Sequence, residues 1–139
     1  MHQLQTTITV RTSGKGLYEF TGEVVKFVRN SGIVTGLLVL YCRHTSASLT
    51  IQENADPDVA RDLAEFYARL VPENEPWYRH RMEGPDDMPA HIRSSLTDVS
   101  LCIPVMNGAP ALGTWQGVFL FEHRARPHTR QVVLHLQGE

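Results

Sequence analysis

The stretch IVTGLLVLYC at positions 33–42 decides the fold, because its first nine residues form the longest apolar run of the chain. β-Branched residues and leucines dominate it, which is typical of a strand buried on both faces. It is also far shorter than the roughly 20 residues of a bilayer-spanning helix. We therefore predict a deeply buried strand at 33–42, followed by a shorter alternating strand at 49–52.

Alternation of apolar and polar side chains predicts further strands elsewhere in the chain. It has the period of two that a half-buried strand requires. The segments that show it are 3–10, 99–105, 114–121 and 131–137. Between the second and third of these, Asn107-Gly108 is a dipeptide typical of hairpin turns.

Two helices complete the predicted fold, at about 18–31 and 57–70. Apolar residues recur at helical spacing in both segments. Asp56 can cap the second helix, and Pro57 suits its first position because no intrahelical hydrogen bond is lost there. The sequence thus predicts one domain, residues 1–139, of the α+β class, predominantly β, with antiparallel sandwich-like sheets and two helices.

The segment from 71 to 89 is predicted to be a long loop. It contains Pro72, Pro76, Gly84, Pro85 and Pro89, together with two aromatic residues. Long loops inside compact domains are usually functional or contact another protomer. We therefore expect one of these two roles for it.

Composition excludes two classes of protein. Thirteen basic residues against fifteen acidic ones give a net charge of −2, whereas a nucleic-acid-binding protein normally shows a basic excess. No apolar run is long enough to span a membrane.

Cys42 and Cys102 lie in apolar strand segments without a CxxC spacing, which favours reduced core residues of a cytoplasmic protein.

Seven histidines are the unusual feature of the composition. His44 follows a strand, His80 lies in the long loop and His91 lies just after that loop. Their spacing matches no local metal motif, but separated histidines can converge to form a metal site. The other four, at 2, 123, 128 and 135, have ordinary explanations as terminal, strand or loop residues.

Polar residues that follow the most buried strand are candidates for a site. His44 can act as a base or metal ligand, and Thr45 and Ser46 can bind phosphate. A plain polar turn would explain them equally well. Ser46 lacks a GxSxG elbow, so a serine hydrolase is disfavoured.

Further candidates follow other strands. Glu53 and Asn54 can bind a cation or orient an imidazole, and Asp86 with Asp87 can bind a hard cation or cap a short segment that leads to His91. In the strand at 114–121 and its continuation, Gln116 and Glu122 share a mostly apolar face and need partners. His123 points to the opposite face, so we expect it outside that site.

A basic loop at 124–130 contains three arginines and His128. It is a candidate for recognition of phosphate or pyrophosphate, although a solvated loop is the alternative.

Five segments together resemble the YjbQ family over essentially the whole chain. They are HTSASLT at 44–50, ENADP at 53–57, DMPAH at 87–91, GTWQ at 113–116 and LQGE at 136–139. The resemblance implies a small cytoplasmic β-sandwich-like protein that assembles as a homotrimer. It also implies a weak, secondary thiamine-phosphate synthase activity, which joins a pyrimidine diphosphate to a thiazole phosphate and releases pyrophosphate.

The resemblance also implies roles for the residues at the matching positions. His44, Glu53 and His91 would be catalytic, and His44, His80 and His91 would bind a divalent cation, Zn²⁺ or Mg²⁺. The residues implied to bind a small phosphorylated or anionic substrate are Thr45, Ser46, Asn54, Thr114, Trp115, Gln116 and Glu122. Arg130 of the basic loop is a further candidate for binding this substrate. Neither nucleic acid nor a membrane is an expected partner.

Two other functions stay open at this point. Imidazoles suit Zn²⁺ or a transition metal better than Mg²⁺, which prefers oxygen. The protein is therefore also a candidate metal-dependent hydrolase or lyase, with Glu53 as base. A non-enzymatic binding protein for a small anionic ligand is the third possibility.

Overall fold

A computed structural model describes residues 1–139 as eight strands and three helices. The strands are β1 (His2–Thr12), β2 (Gly16–Glu19), β3 (Gly36–Cys42), β4 (Ala47–Glu53), β5 (Ser100–Met106), β6 (Ala109–Pro110), β7 (Gln116–Glu122) and β8 (His128–Gly138). The helices are α1 (Thr21–Ser31), α2 (Pro57–Leu70) and α3 (Asp87–Leu96).

The strands form two antiparallel sheets. The larger has the order β1-β8-β3-β5-β6, and the smaller has the order β2-β7-β4. A cluster of seventeen buried apolar residues joins the sheets and includes Leu38 and Leu134 from the larger, Leu49 and Leu120 from the smaller, and Val24 from α1. The predicted α+β, predominantly β architecture is confirmed.

The stretch at 33–42 is less buried than predicted. The strand begins at Gly36, and only alternate residues of it are buried. Leu38 and Leu40 enter the core, whereas 38% of Leu37 and 50% of Tyr41 remain exposed. An apolar run predicts burial on both faces, but this antiparallel sheet covers only one face with its own chain.

The helix predictions hold with one change of boundary. The side chain of Asp56 accepts a hydrogen bond from the backbone nitrogen of Asp58 at 2.9 Å, and α2 runs over 57–70 as predicted. In contrast, α1 begins at Thr21 instead of residue 18, because 16–19 pair with β7 as strand β2.

The predicted loop at 71–89 ends in a helix that sequence analysis missed. Helix α3 begins at Asp87 and contains Pro89 at its third position. A proline in the first turn costs no intrahelical hydrogen bond, so the proline content of the segment did not exclude a helix there. This third helix carries two residues of the site described below.

The cysteines differ from each other. Cys42 is buried, as predicted, but Cys102 is exposed because it lies on the outer face of β5. Both thiols are free.

None of the three helices combines the length and the apolar character that crossing a membrane requires.

Candidate metal centre

Three side chains converge beside the start of α3. The ligand atoms of His80, Asp87 and His91 all lie within 4.8 Å of one another. Nε2 of His80 is 2.6 Å from Oδ2 of Asp87, and Nε2 of His91 is 3.1 Å from the same oxygen. Two imidazoles and one carboxylate directed at a common point form a ligand set typical of zinc and transition-metal sites.

Helix geometry explains two of these positions. Asp87 and His91 are four residues apart in α3, so their side chains lie on the same face one turn from each other. His80 comes from the segment before the helix, and its ring meets the ring of His91 edge to face at 5.2 Å. The third ligand therefore depends on how the chain folds back before α3.

The contact of Nδ1 with the Thr45 carbonyl indicates which ring nitrogen of His91 carries the proton. Nδ1 of His91 lies 3.0 Å from the carbonyl oxygen of Thr45, which can only accept, so Nδ1 carries the proton. In the neutral ring, Nε2 then carries a lone pair that faces the Asp87 carboxylate. Two acceptors at this distance require a cation or an added proton between them. Metal-bound histidines typically donate their other nitrogen to a carbonyl in this way.

Arg124 holds the carboxylate of Asp87 in place. Nη1 of Arg124 donates to Oδ1 of Asp87 at 2.6 Å, which leaves Oδ2 for the imidazoles. Arg124 also donates to Oδ2 of Asp86 at 3.0 Å and to the carbonyl of Glu83 at 2.9 Å. Burial acts to raise the pKa of Asp87, but the hydrogen bond from His80 and the charge of Arg124 outweigh it and lower that pKa. Asp87 is therefore a carboxylate at neutral pH.

One side of the cluster is open. The side chain of Asp87 is 2% exposed, whereas those of His80 and His91 are 44% and 32% exposed. A cavity of about 310 Å³ adjoins His80 and is also lined by Asn74, Tyr78 and Arg81. Three protein ligands with an open side are the arrangement of a catalytic metal site, in which water or substrate takes the remaining position.

His44 lies outside this cluster, so the predicted set of three histidines needs correction. Nε2 of His44 accepts a hydrogen bond from the backbone nitrogen of Gln131 at 2.8 Å. That bond turns the ring toward β8, and Asp87 takes the third place beside His80 and His91. Burial and the nearby charge of Arg130 lower the pKa of His44.

Thr45 and Ser46 meet the neighbouring residues through their backbone. The Thr45 carbonyl accepts from His91, and the Ser46 carbonyl accepts from Nη2 of Arg130 at 3.2 Å. The segment after β3 therefore links the metal cluster to a second buried cluster. The predicted role of the two hydroxyl groups in phosphate binding stays a prediction.

That second cluster pairs Glu122 with Arg130, which are 0% and 4% exposed. Both oxygens of Glu122 bind the Arg130 guanidinium, and Oε1 also accepts from Thr12 at 2.6 Å. The backbone nitrogens of His123 and Arg124 complete the set at Oε2. The expectation that Glu122 needs partners is met within the chain, because both of its carboxylate oxygens are bound by buried donors. The predicted role of Glu122 and Arg130 in substrate binding stays a prediction.

The remaining predicted residues lie at the other end of β4. Glu53 pairs with Gln116, and the backbone nitrogen of Asn54 donates to the carbonyl of Trp115. Thr114 precedes this pair in the chain. Strand β4 spans seven residues from Ala47 to Glu53, so its two ends are about 20 Å apart. One chain therefore does not bring Glu53 to the metal cluster.

Asp86 and Asp87 have different roles, although sequence analysis treated them together. Asp86 precedes α3 but makes no side-chain cap bond, and its carboxylate binds Arg124 and the backbone nitrogen of Ala125. The spacing Asp87-x-x-x-His91 was the signal for the carboxylate ligand. The prolines of the segment predict a loop, so the helical spacing of Asp87 and His91 does not stand out in the sequence.

Comparisons of sequence identify relatives of this chain. The family model described as UPF0047 protein YjbQ-like matches residues 6–139. UPF0047 protein sll1880 of Synechocystis sp. is 58% identical over 137 residues, which cover 99% of this chain and 93% of that protein. UPF0047 protein YjbQ of Escherichia coli O157:H7 is 44% identical, with 97% of this chain and 98% of that protein covered.

Solved structures share the fold. A YjbQ/UPF0047 protein of Clostridium acetobutylicum superposes with a TM-score of 0.87 at 37% identity, over 95% of this chain and 99% of that one. The hypothetical protein APE1520 of Aeropyrum pernix K1 gives 0.88 at 31% identity, over 98% and 99%. The chain therefore belongs to the YjbQ/UPF0047 family.

Proposed function

We propose that this protein is a metal-dependent hydrolase or lyase whose cation is bound by His80, Asp87 and His91. One observation carries the proposal: Nε2 of His80 and Nε2 of His91 lie 2.6 Å and 3.1 Å from the same buried carboxylate oxygen of Asp87, with Nδ1 of His91 bound to the Thr45 carbonyl. His80, Asp87 and His91 would hold the cation, which would take the place of the protons that otherwise link the imidazoles to the carboxylate.

The ligand types indicate which cation it is. Two imidazole nitrogens and one carboxylate oxygen favour Zn²⁺ or another transition metal over Mg²⁺, which prefers oxygen. The bound ion supplies a Lewis acid that lowers the pKa of a water molecule and polarises a substrate oxygen. Asp87 and His91 present their ligand atoms in fixed orientations, because Arg124 and the Thr45 carbonyl hold them.

Glu83 takes the base role that sequence analysis assigned to Glu53. Its Oε2 lies 4.0 Å from Nε2 of His80, and its side chain is 63% exposed. It can therefore accept a proton from water at the open side of the cluster. Glu53 lies at the opposite end of β4, about 20 Å from the Ala47 end where Thr45 contacts His91, so it does not lie beside the cluster within one chain.

The substrate we propose is a small phosphorylated or anionic molecule. Arg81 lines the cavity beside His80, and its Nε and Nη2 bind the carbonyls of Tyr78 and Pro76. These bonds hold a positive charge at the cavity, where it favours an anionic group.

Synthesis of thiamine phosphate is the second candidate, because the same cation would neutralise a leaving pyrophosphate. The imidazole ligands fit a Mg²⁺-dependent diphosphate displacement less well than they fit hydrolysis at zinc. An assay of the purified protein with both thiamine precursors decides this point. Product formation that Asp87→Asn and His91→Ala abolish would favour the synthase, and absence of product would exclude it.

The proposal includes a homotrimer in the cytoplasm. Exposed Leu70, Trp77 and Leu96 line an apolar groove of about 470 Å³ that another protomer can cover. A neighbouring protomer can also bring Glu53 and Trp115 to the metal cluster. Light scattering is expected to give three times the 15.7 kDa chain mass, and a monomer would contradict this part. The two free thiols suit a reducing compartment.

Metal analysis of protein purified without a histidine tag tests the main proposal. We expect one zinc or transition-metal ion per chain, and its loss in His80→Ala and His91→Ala. His135→Ala is the matched control, because His135 binds only Gln5 on the outer face of the large sheet. Metal-free protein, or equal metal content in all three variants, would overturn the proposal.

A further inference from the structure

A second cavity lies between α2 and β7, away from the open side of the metal cluster. Its volume is about 510 Å³. Tyr67 of α2 and Phe121 of β7 form an aromatic wall, with ring centroids 5.4 Å apart and planes at 81°. Arg93 of α3 and His123, which follows β7, also line it.

Arg93 is a buried cation without a salt bridge, since the nearby carboxylates of Glu73 and Asp86 act on it only from beyond contact distance. It is 5% exposed, and its Nη2 donates to the carbonyl of Val71 at 2.9 Å. Its Nε has no hydrogen-bond partner, and no carboxylate forms a salt bridge with it. A buried charge without compensation is strongly unfavourable. Burial accordingly lowers the pKa of Arg93.

His123 is the second buried group with an unpartnered atom in this wall. It is 0% exposed, its Nε2 lies 2.9 Å from Oγ of Ser48, and its Nδ1 has no partner. Oγ of Ser48 also accepts a hydrogen bond from Oγ1 of Thr97 at 2.6 Å. With that acceptor role filled, the Ser48 hydroxyl donates its own proton to Nε2 of His123, and the neutral ring carries its proton on Nδ1. These are the only two buried side-chain polar atoms of the chain without a partner.

Other charged residues of the cavity are already paired or hydrated. Lys15 binds Glu73 at 2.9 Å, Glu65 binds Arg69 at 2.9 Å, and Arg61 lies 3.6 Å from Asp58. Glu122 is bound by Arg130, and Asp62 is exposed to water. The missing partner in this cavity is therefore an acceptor with a negative charge, next to Arg93.

We infer that this cavity binds an organic anion, a small carboxylate or phosphate ester with a planar apolar body. Its acidic group accepts hydrogen bonds from Nε of Arg93 and Nδ1 of His123, and its body lies against Tyr67 and Phe121. Both donor atoms are buried without ligand, so binding requires the two side chains to turn them toward the cavity. The site shares no ligand with the metal cluster, so it goes beyond the proposed metal-dependent activity.

Calorimetry and thermal denaturation with phenyl phosphate, benzoate and inorganic phosphate test the inference. We expect saturable binding of phenyl phosphate or benzoate, weaker binding of inorganic phosphate, and a rise in Tm. Binding by one of the two organic probes alone identifies the acidic group. Arg93→Met should weaken binding at least tenfold while its ligand-free Tm stays equal or rises, because an uncompensated charge is removed. Arg29→Met, at an exposed position of α1, is the control. The metal content should be unchanged in both variants.

A measurement on the unmodified protein keeps the inference testable if variants fold poorly. Long-range ¹H–¹⁵N spectra should show that the anion shifts the resonance of Nδ1 of the His123 ring, which carries the proton. Absence of saturable binding by all three probes would overturn the inference. Equal binding by Arg93→Met, or an unchanged His123 ring in the presence of bound anion, would do the same.

Discussion

Two buried acid–arginine clusters flank the segment that follows β3, and they differ in one respect. Glu122 pairs with Arg130 and Asp87 pairs with Arg124, and both carboxylates are at most 2% exposed. All donors to Glu122 come from buried groups of the chain. In contrast, Oδ2 of Asp87 faces only the two partly exposed imidazoles.

The difference separates a structural pair from a site. A buried network whose donors and acceptors are all paired stabilises one conformation and has no free donor or acceptor for a ligand. A buried carboxylate whose remaining partners are solvent-facing imidazoles keeps coordination positions open. Burial and charge alone would have put both clusters in the same class.

The largest expected effect comes from breaking the closed cluster. Glu122→Gln removes the charge that compensates Arg130, which stays buried. We expect a loss of about 3–5 kcal/mol in the free energy of unfolding, measured with urea. A loss below about 1 kcal/mol would show that the cluster is less closed than its contacts indicate.

Acid should weaken the region around the closed cluster through His123. Burial lowers the pKa of His123 to about 3 in the folded protein, against an ordinary value of 6.5. Between these values the unfolded chain binds the proton and the folded chain does not. Stability from this group should therefore fall by about 1.4 kcal/mol per unit as pH decreases from 6.5 towards 3.

The unfolding free energy between pH 6.5 and 5 checks this contribution. His123→Phe should have a shallower slope in that range than the unmodified protein. The carboxyl of Glu122 contributes only at lower pH, because its own pKa is depressed: burial alone would raise it, but the hydrogen bonds from Arg130 and Thr12 outweigh burial. Equal slopes in the two proteins would contradict the prediction.

Breaking the open cluster should cost less stability. In Asp87→Asn, Arg124 keeps Asp86 and the Glu83 carbonyl as partners. We expect a loss of about 1–3 kcal/mol in metal-free protein, since one buried hydrogen-bonded pair is weakened. Urea denaturation in chelator measures it beside Glu122→Gln. A cost as large as that of Glu122→Gln would remove the distinction between the two clusters.

The smallest effect is expected from a change that keeps the charge. Arg124→Lys retains the cation but loses the fork that binds Asp86 and Asp87 together. We expect a metal affinity about tenfold weaker, typical of a changed partner of a ligand, with little change in stability. A competition titration against a chelating dye measures this affinity. Unchanged affinity would show that Arg124 does not orient Asp87.

The structural elements were predictable where one local rule dominates. Asp56-Pro57 begins α2 at the predicted residue, and Asn107-Gly108 forms the predicted turn, with φ of 52° and 78°. The rule of alternation failed for β7, where six consecutive residues are buried. One face of β7 enters the core through Val118 and Leu120, and the other is covered through the contact of Phe121 with Tyr67.

The burial of both faces of β7 explains why alternation failed to predict the position of His123. Alternation assigned it to the face opposite Glu122, which suggested an ordinary strand residue. In the structure both faces are buried, so His123 lies beside Ser48 and lines the second cavity. No local pattern could show this, because the covering helix lies more than fifty residues earlier in the chain.

By itself the sequence determined the class of the fold, the second helix, the family resemblance and two of the three metal-cluster residues. Periodicity, caps and short motifs depend on neighbouring residues, and these are visible in the chain. Only the tertiary structure placed Asp87 instead of His44 beside His80 and His91, and separated Glu53 from them by the length of β4. Those choices depend on contacts between residues distant in sequence, such as the bond from Gln131 to His44 and that from His91 to Thr45.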